Sequence, residues 1–309
     1  MRIQLRMFRL SLSPALTLAL LNLFFLGTVR YLYHSTANFT FLKYPRINEC
    51  GIILFVHIPK TGGGSFVKWL GEHGPVLDMF VGTERDVKLN NQMNSTMWKS
   101  ILPTANKFVS NVSPKTGWKS MHLHHYFPGM HYNQDLIRSW KTTVENKGCA
   151  FHKTTILRDP LDRFVSSVNF LHTPLDYVDE FMKLKRNLLS RYFLFGYCGY
   201  EKKELKCRGA LPNLNEKYVA EMMEIISKFD SIGFLDRYDE YLEGIKFVTG
   251  WKDDETNQVN DKKVHQSQEY LKLTSRMLKN FLNMNQEDYL FYYYMKNQLA
   301  PIYELDMNV

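Results

Sequence analysis

Gly51-Ile52-Ile53-Leu54-Phe55-Val56, followed two residues later by Pro59-Lys60-Thr61-Gly62-Gly63-Gly64-Ser65, is the stretch that decides the fold. The first six residues are an unbroken apolar run rich in β-formers, as expected of a strand buried on both faces of a parallel sheet. The glycines end it, and Ser65 to Leu70 reads as the start of a helix. Strand, glycine loop and helix together make an anion site from three sources: unhindered backbone N–H groups, the Lys60 ammonium and the helix N-terminus.

The pattern recurs downstream. Phe151 to Leu157 is a second strand, Asp159-Pro160 a turn and helix start, and Leu161 to Leu171 a helix with Phe164, Val165 and Val168 on one face. Leu175 to Tyr200 and Asn215 to Phe229 read as helices, and Ser231 to Leu235 as a short strand with an amphipathic helix following through Phe247. Thr274 caps a further helix, and an aromatic helix runs from Asp288 through Tyr294. The stretch from Thr83 to Ser120, rich in Asn, Lys, Ser and Thr, reads as an exposed excursion. Strands alternating with helices predict an α/β fold: a P-loop-like three-layer domain around a mainly parallel central sheet.

The chain has 309 residues, of which 45% are hydrophobic and 14% aromatic, enough for one large core. Thirty-nine Lys and Arg against 31 Asp and Glu give a net charge of +8, which favours anionic partners. Leu10 to Val29 carries no charge and is close to the roughly 20 residues a bilayer-spanning helix needs. It is too long for the apolar part of a cleaved signal peptide. Arg2, Arg6 and Arg9 before it point the N-terminus to the cytosol. The expected organisation is a cytosolic tail (1–9), a transmembrane signal anchor (10–29), a luminal stem (30–48) and a luminal domain (49–309). Sequons at Asn38, Asn94 and Asn111 agree with that topology.

All four cysteines then lie in an oxidising compartment. Cys50 and Cys149 each precede an apolar run, so a bridge between them is expected if those runs are neighbouring parallel strands; Cys198 and Cys207 would close a short loop. No Cys-x-x-Cys spacing supports a zinc site.

The lysine precedes the glycines in the first loop, whereas the ordinary nucleotide loop ends in Gly-Lys, so a plain kinase or ATPase is disfavoured. The loop resembles the 5′-phosphosulfate loop of the sulfotransferases, above all the membrane-bound Golgi carbohydrate group that includes the heparan sulfate 2-O- and 6-O-sulfotransferases. Thr155-Ile156-Leu157-Arg158 running to Ser166 resembles that family's 3′-phosphate motif, with Arg158 and Ser166 eight positions apart. A guanidinium offers phosphate a planar fork, and a serine hydroxyl adds a donor. The resemblance spans roughly residues 52–298.

It implies 3′-phosphoadenosine-5′-phosphosulfate (PAPS) as co-substrate, bound by Lys60, Thr61, Gly62, Gly63, Gly64, Ser65, Arg158 and Ser166. Lys60 would also act on the leaving group, and no metal would be needed. A glycan hydroxyl, as in heparan or chondroitin sulfate, would be the acceptor, and no nucleic-acid partner is expected. A catalytic histidine is implied between the two motifs. His122, His124 and His125 all lie there; His124 is placed first and the register stays open. Because His122 and His124 would share one side of a strand with His131 nearby, a metal site is the sharper alternative. Lys115, Lys119, Lys153 and Arg163 are candidate glycan contacts. Rival functions are a P-loop phosphotransferase and a membrane-anchored glycan-binding protein without catalysis. A nucleotide-sugar glycosyltransferase ranks lower for want of an Asp-x-Asp motif.

Overall fold

The computed structural model describes residues 48–78, 93–124, 129–184, 186–195, 216–252 and 273–306, all within one compact unit, Phe41–Val309. The expected anchor, most of the stem, the Asn38 sequon, His125, Cys198 and Cys207 lie outside them. Among the described residues no helix is long and apolar enough to cross a membrane.

Five strands form one parallel sheet: β1 (Gly51–Val56), β2 (Val76–Asp78), β3 (Trp118–Leu123), β4 (Ala150–Leu157) and β5 (Ser231–Phe234), in the order β2-β3-β1-β4-β5. β1 is central and every residue of it is buried, which accounts for its continuous apolar sequence. Its alternate side chains feed two layers. Ile53 and Phe55 meet Phe66, Trp69 and Leu70 of α1 (Gly63–His73) and Tyr241, Ile245 and Val248 of α8 (Tyr238–Thr249).

Ile52, Leu54 and Val56 face the larger cluster on the other side. Its helices are α2 (Met93–Ser110), α3 (Met130–Glu145), α6 (Leu188–Phe195), α7 (Glu216–Ile226) and α10 (Gln286–Asp306). A fully buried Phe or Leu in either layer contributes about 1.5–3 kcal/mol. The remaining helices α4 (Pro160–Phe170), α5 (Val178–Leu184) and α9 (Ser275–Met284) share a third, smaller cluster around Phe164, Val168 and Phe281.

Two expectations are corrected. The expected exposed excursion from Thr83 to Ser120 holds, in its described part from residue 93 on, all of α2, whose Ile101, Ala105 and Val109 are buried, and the first half of β3, hydrogen-bonded beside β1. Leu175 to Tyr200 is not one helix. α5 and α6 are separate, with Asn187 at a left-handed φ of 47° between them. The side chain of Asn285 accepts the Asn187 N–H at 2.7 Å, and the buried Asp288 carboxylate accepts the N–H groups of Leu189 and Ser190, which caps α6 from α10. Burial pushes the Asp288 carboxyl up from its ordinary range, while Arg163, itself buried, pulls it back down.

Asp159 caps α4 with Pro160 at its first position, as the sequence predicts. Cys50 and Cys149 form a disulfide across the parallel pair β1–β4, where the register Gly51↔Ala150 sets them side by side. The bridge closes a loop of sequence separation 99 and contributes about 3–5 kcal/mol by restricting the unfolded chain. Reduction, or Cys50→Ser with Cys149→Ser, is expected to lower Tm by roughly 10 °C. Non-reducing peptide mapping and a melt with and without reductant check this.

Candidate functional site at the end of the central strand

The strands that follow β1 in the sequence settle on both sides of it, so the carboxyl end of β1 is where ligands bind in open sheets of this kind. The loop His57–Gly62 leaves β1 there and enters α1. Lys60 takes a left-handed φ of 69° and Gly62 one of 92°. Thr61 is fully buried and its hydroxyl donates to the Ile58 carbonyl at 2.8 Å, so this side chain builds the turn. The N-cap of α1 is Gly62, which has no side chain to cap it.

The three glycines differ in why they are glycine. A Cβ on Gly63 would lie 2.1–2.6 Å from ring atoms of His57, so the imidazole occupies the space a side chain would need. Gly62 carries the positive φ. A Cβ on Gly64 would meet nothing within 4 Å, and Gly64 is exposed.

Two cations converge on the loop. The Arg158 guanidinium, just past β4, donates to the Lys60 carbonyl at 3.4 Å. The Asp159 carboxylate caps α4 through the N–H groups of Leu161 and Asp162. The Lys60 ammonium lies 3.9 Å from the centre of the Phe170 ring, on the last turn of α4. Burial first, and the charge of Arg158 second, push the Lys60 ammonium below its ordinary pKa. Two like charges held together in this way are relieved by an anion placed between them. Ser166 is half-buried on α4 and Ser65 half-buried on α1.

Beside this cationic mouth stands a group of three buried imidazoles. His57 Nδ1 and His122 Nε2 are 2.8 Å apart. His57 stacks face to face on His124 with ring centres 4.0 Å apart. The His124 Nδ1 lies 3.1 Å from the His57 carbonyl and 3.2 Å from the Tyr192 hydroxyl on α6. A carbonyl oxygen only accepts, so His124 carries its hydrogen on Nδ1 and, when neutral, its lone pair on Nε2.

His122 and His124 are thus brought together, as the sequence predicts, and both adjoin the loop. His57 and Tyr192 were missed. His57 lies inside the strand-loop-helix signature itself, but its role shows only once Gly63 and His124 are seen against its ring. His131 stands apart from the three, paired with Glu221 at 2.5 Å.

The four candidate glycan contacts divide. Lys115 is exposed, and Lys119 donates to the Asn111 carbonyl at 3.1 Å. Lys153 is buried within β4 with its ammonium 5.4 Å from the Phe229 ring centre, and burial pushes its pKa down to about 8. Arg163 is buried against Asp288. Those two are core groups and not glycan contacts.

Compared with protein-family models and with curated proteins, the chain matches none.

The steric account of the loop is testable. Gly63→Ala must displace the His57 ring and is expected to cost about 1–3 kcal/mol. Gly64→Ala enters open space on a helix and is expected to be neutral or to gain up to about 1 kcal/mol. Denaturant unfolding of the two variants measures the contrast.

Proposed function

We propose that this chain is a PAPS-dependent sulfotransferase with a P-loop-like fold, a member of the Golgi carbohydrate type, which moves a sulfuryl group to a glycan hydroxyl. The observation that carries the reading is the convergence of Lys60 and Arg158 at an uncapped helix start, beside His124 with its Nε2 lone pair. The cations fit an anionic donor. Lys60 and the N–H groups at the start of α1 suit the 5′-phosphosulfate, and Arg158 with Ser166 the 3′-phosphate. The donor supplies an activated sulfuryl group when bound.

The acceptor oxygen forms its bond to sulfur as the bond from sulfur to the phosphate oxygen breaks. The electron pair of that bond stays on the phosphate, where Lys60 meets the growing charge. The hydroxyl proton passes to Nε2 of His124. The Tyr192 hydroxyl and the His57 carbonyl hold the tautomer that makes this nitrogen the acceptor. The N-terminal anchor, the luminal setting and an anionic glycan such as heparan or chondroitin sulfate complete the proposal. They are supported by the uncharged run 10–29, the Cys50–Cys149 disulfide and the net charge of +8.

The test incubates the full chain with ³⁵S-labelled PAPS and a panel of heparan, chondroitin and simple glycans. Label transferred to one of them is the expected result. No transfer, together with no binding of adenosine 3′,5′-bisphosphate, overturns the reading. Arg158→Ala is expected to weaken nucleotide binding about tenfold or more, since a charge-assisted phosphate contact is lost. Lys60→Ala should lower kcat by about 10²–10³ with less effect on binding, because its partner charge develops in the transition state. His124→Ala should lower kcat by about 10²–10⁴.

A further inference from the structure

One ring nitrogen from each of His57, His122 and His124 lies within 4.8 Å of the other two, and the three are all buried. The ring planes speak against a metal ion. His57 and His124 are 16° from parallel and stacked. Imidazole lone pairs lie in the ring plane, so theirs run side by side and do not meet at one ion about 2.0 Å from each nitrogen. His57 Nδ1 and His122 Nε2 already satisfy each other. The cluster contains, among the described residues, imidazoles only.

What the arrangement does support is electrostatic. The geometry points to His57 as a positioning residue that governs the charge of His124, keeping that imidazole neutral by holding a proton-bearing ring against its face. The inference rests on the reading of His124 as the base.

Two protonated imidazoles stacked at 4.0 Å repel, and each is only 8% exposed, so water screens little of that repulsion. One proton at most is readily held between them. His57 is the better holder, because when protonated it donates from Nδ1 to a neutral His122 at 2.8 Å, a charge-assisted bond, whereas His124 faces a carbonyl and a phenol at 3.1 and 3.2 Å. His124 is therefore left with its Nε2 lone pair at a pH where a lone imidazole would have lost it.

The charged and titratable neighbours reinforce this assignment. His122 comes from β3 and Tyr192 from α6. Lys60, three residues along the loop, and Arg158 after β4 add positive charge on the donor side, which opposes a second proton. The position of His57 is itself enforced, since its N–H donates to the Leu123 carbonyl at 2.9 Å and its ring fills the space over Gly63. One residue thus touches the loop proposed for the donor and the base proposed for the acceptor.

The experiment follows the imidazole Cε1–H signals of the full chain, labelled with ¹³C at histidine, from pH 5 to 9, with His124 assigned through His124→Gln. In the wild type His57 and His124 are expected to titrate in two separated, mutually dependent steps, His57 at the higher pH. His57→Phe keeps an aromatic face and cannot be charged. In it His124 should titrate in one step, with its midpoint raised by about one pH unit. The acid limb of kcat/KM for ³⁵S transfer should rise by the same amount.

Independent one-site curves for the two rings in the wild type overturn the inference, and this measurement needs no variant to fold. An unmoved His124 midpoint in folded His57→Phe overturns it as well. The titration needs no substrate. Absence of any sulfuryl transfer would therefore sink the proposed function and leave the coupling intact, whereas uncoupled titrations would do the reverse.

Discussion

The pairing of β1 with β3 on one edge and β4 on the other is the constraint on which the rest of the molecule depends. Its parallel register puts Phe55 opposite His122 and Val56 opposite Leu123, so that the chain leaving β1 and the chain leaving β3 emerge together. The same register with β4 brings Arg158, one residue past that strand, to the carbonyl of Lys60. At the opposite end it sets Cys50 beside Cys149, and the disulfide fixes the alignment covalently. A slip of one residue would reverse every face of β1, exchange the two apolar layers and take the imidazoles away from the loop.

The groups of the candidate site therefore sit at the ends of strands, and helices add further supports. Tyr192 reaches His124 from α6, and α6 is held by the Asp288 cap and by the bond that the Asn187 N–H donates to the Asn285 side chain. Those contacts join α6 to the start of α10 in the core. Arg163 is drawn into the same buried network, although it belongs to the helix that carries Ser166. Burying such charged groups costs free energy unless they are paired, and here the pairing also settles how α4, α6 and α10 meet.

Much of this was legible in the sequence because it rests on local signals. The apolar run of β1, the glycine loop, the Asp159-Pro160 start of α4 and the cysteines at matching strand positions are each written within a few residues. β3 was not legible. Trp118-Lys119-Ser120-Met121-His122-Leu123 mixes polar and apolar residues because its buried Ser120 and His122 point into a layer that also holds imidazoles, so periodicity gives no strand signal there. α2 was hidden by its polar composition, with Pro103 inside it, yet three residues of its later turns, Ile101, Ala105 and Val109, are buried, as is Val112 just after it.

The site divides along the same line. Lys60, Arg158 and His124 belong to spacings that can be read along the chain, whereas His57 matters through its ring contacts with residues 65 and 67 positions away. Its effect on the glycines is just as indirect. A reader of the loop alone assigns all three glycines to a phosphate, but the middle one is required by an imidazole of the protein itself. That difference sharpens how the loop is built: the ring that excludes a side chain at Gly63 also stacks on His124, so the glycine loop and the proposed base share one structural support.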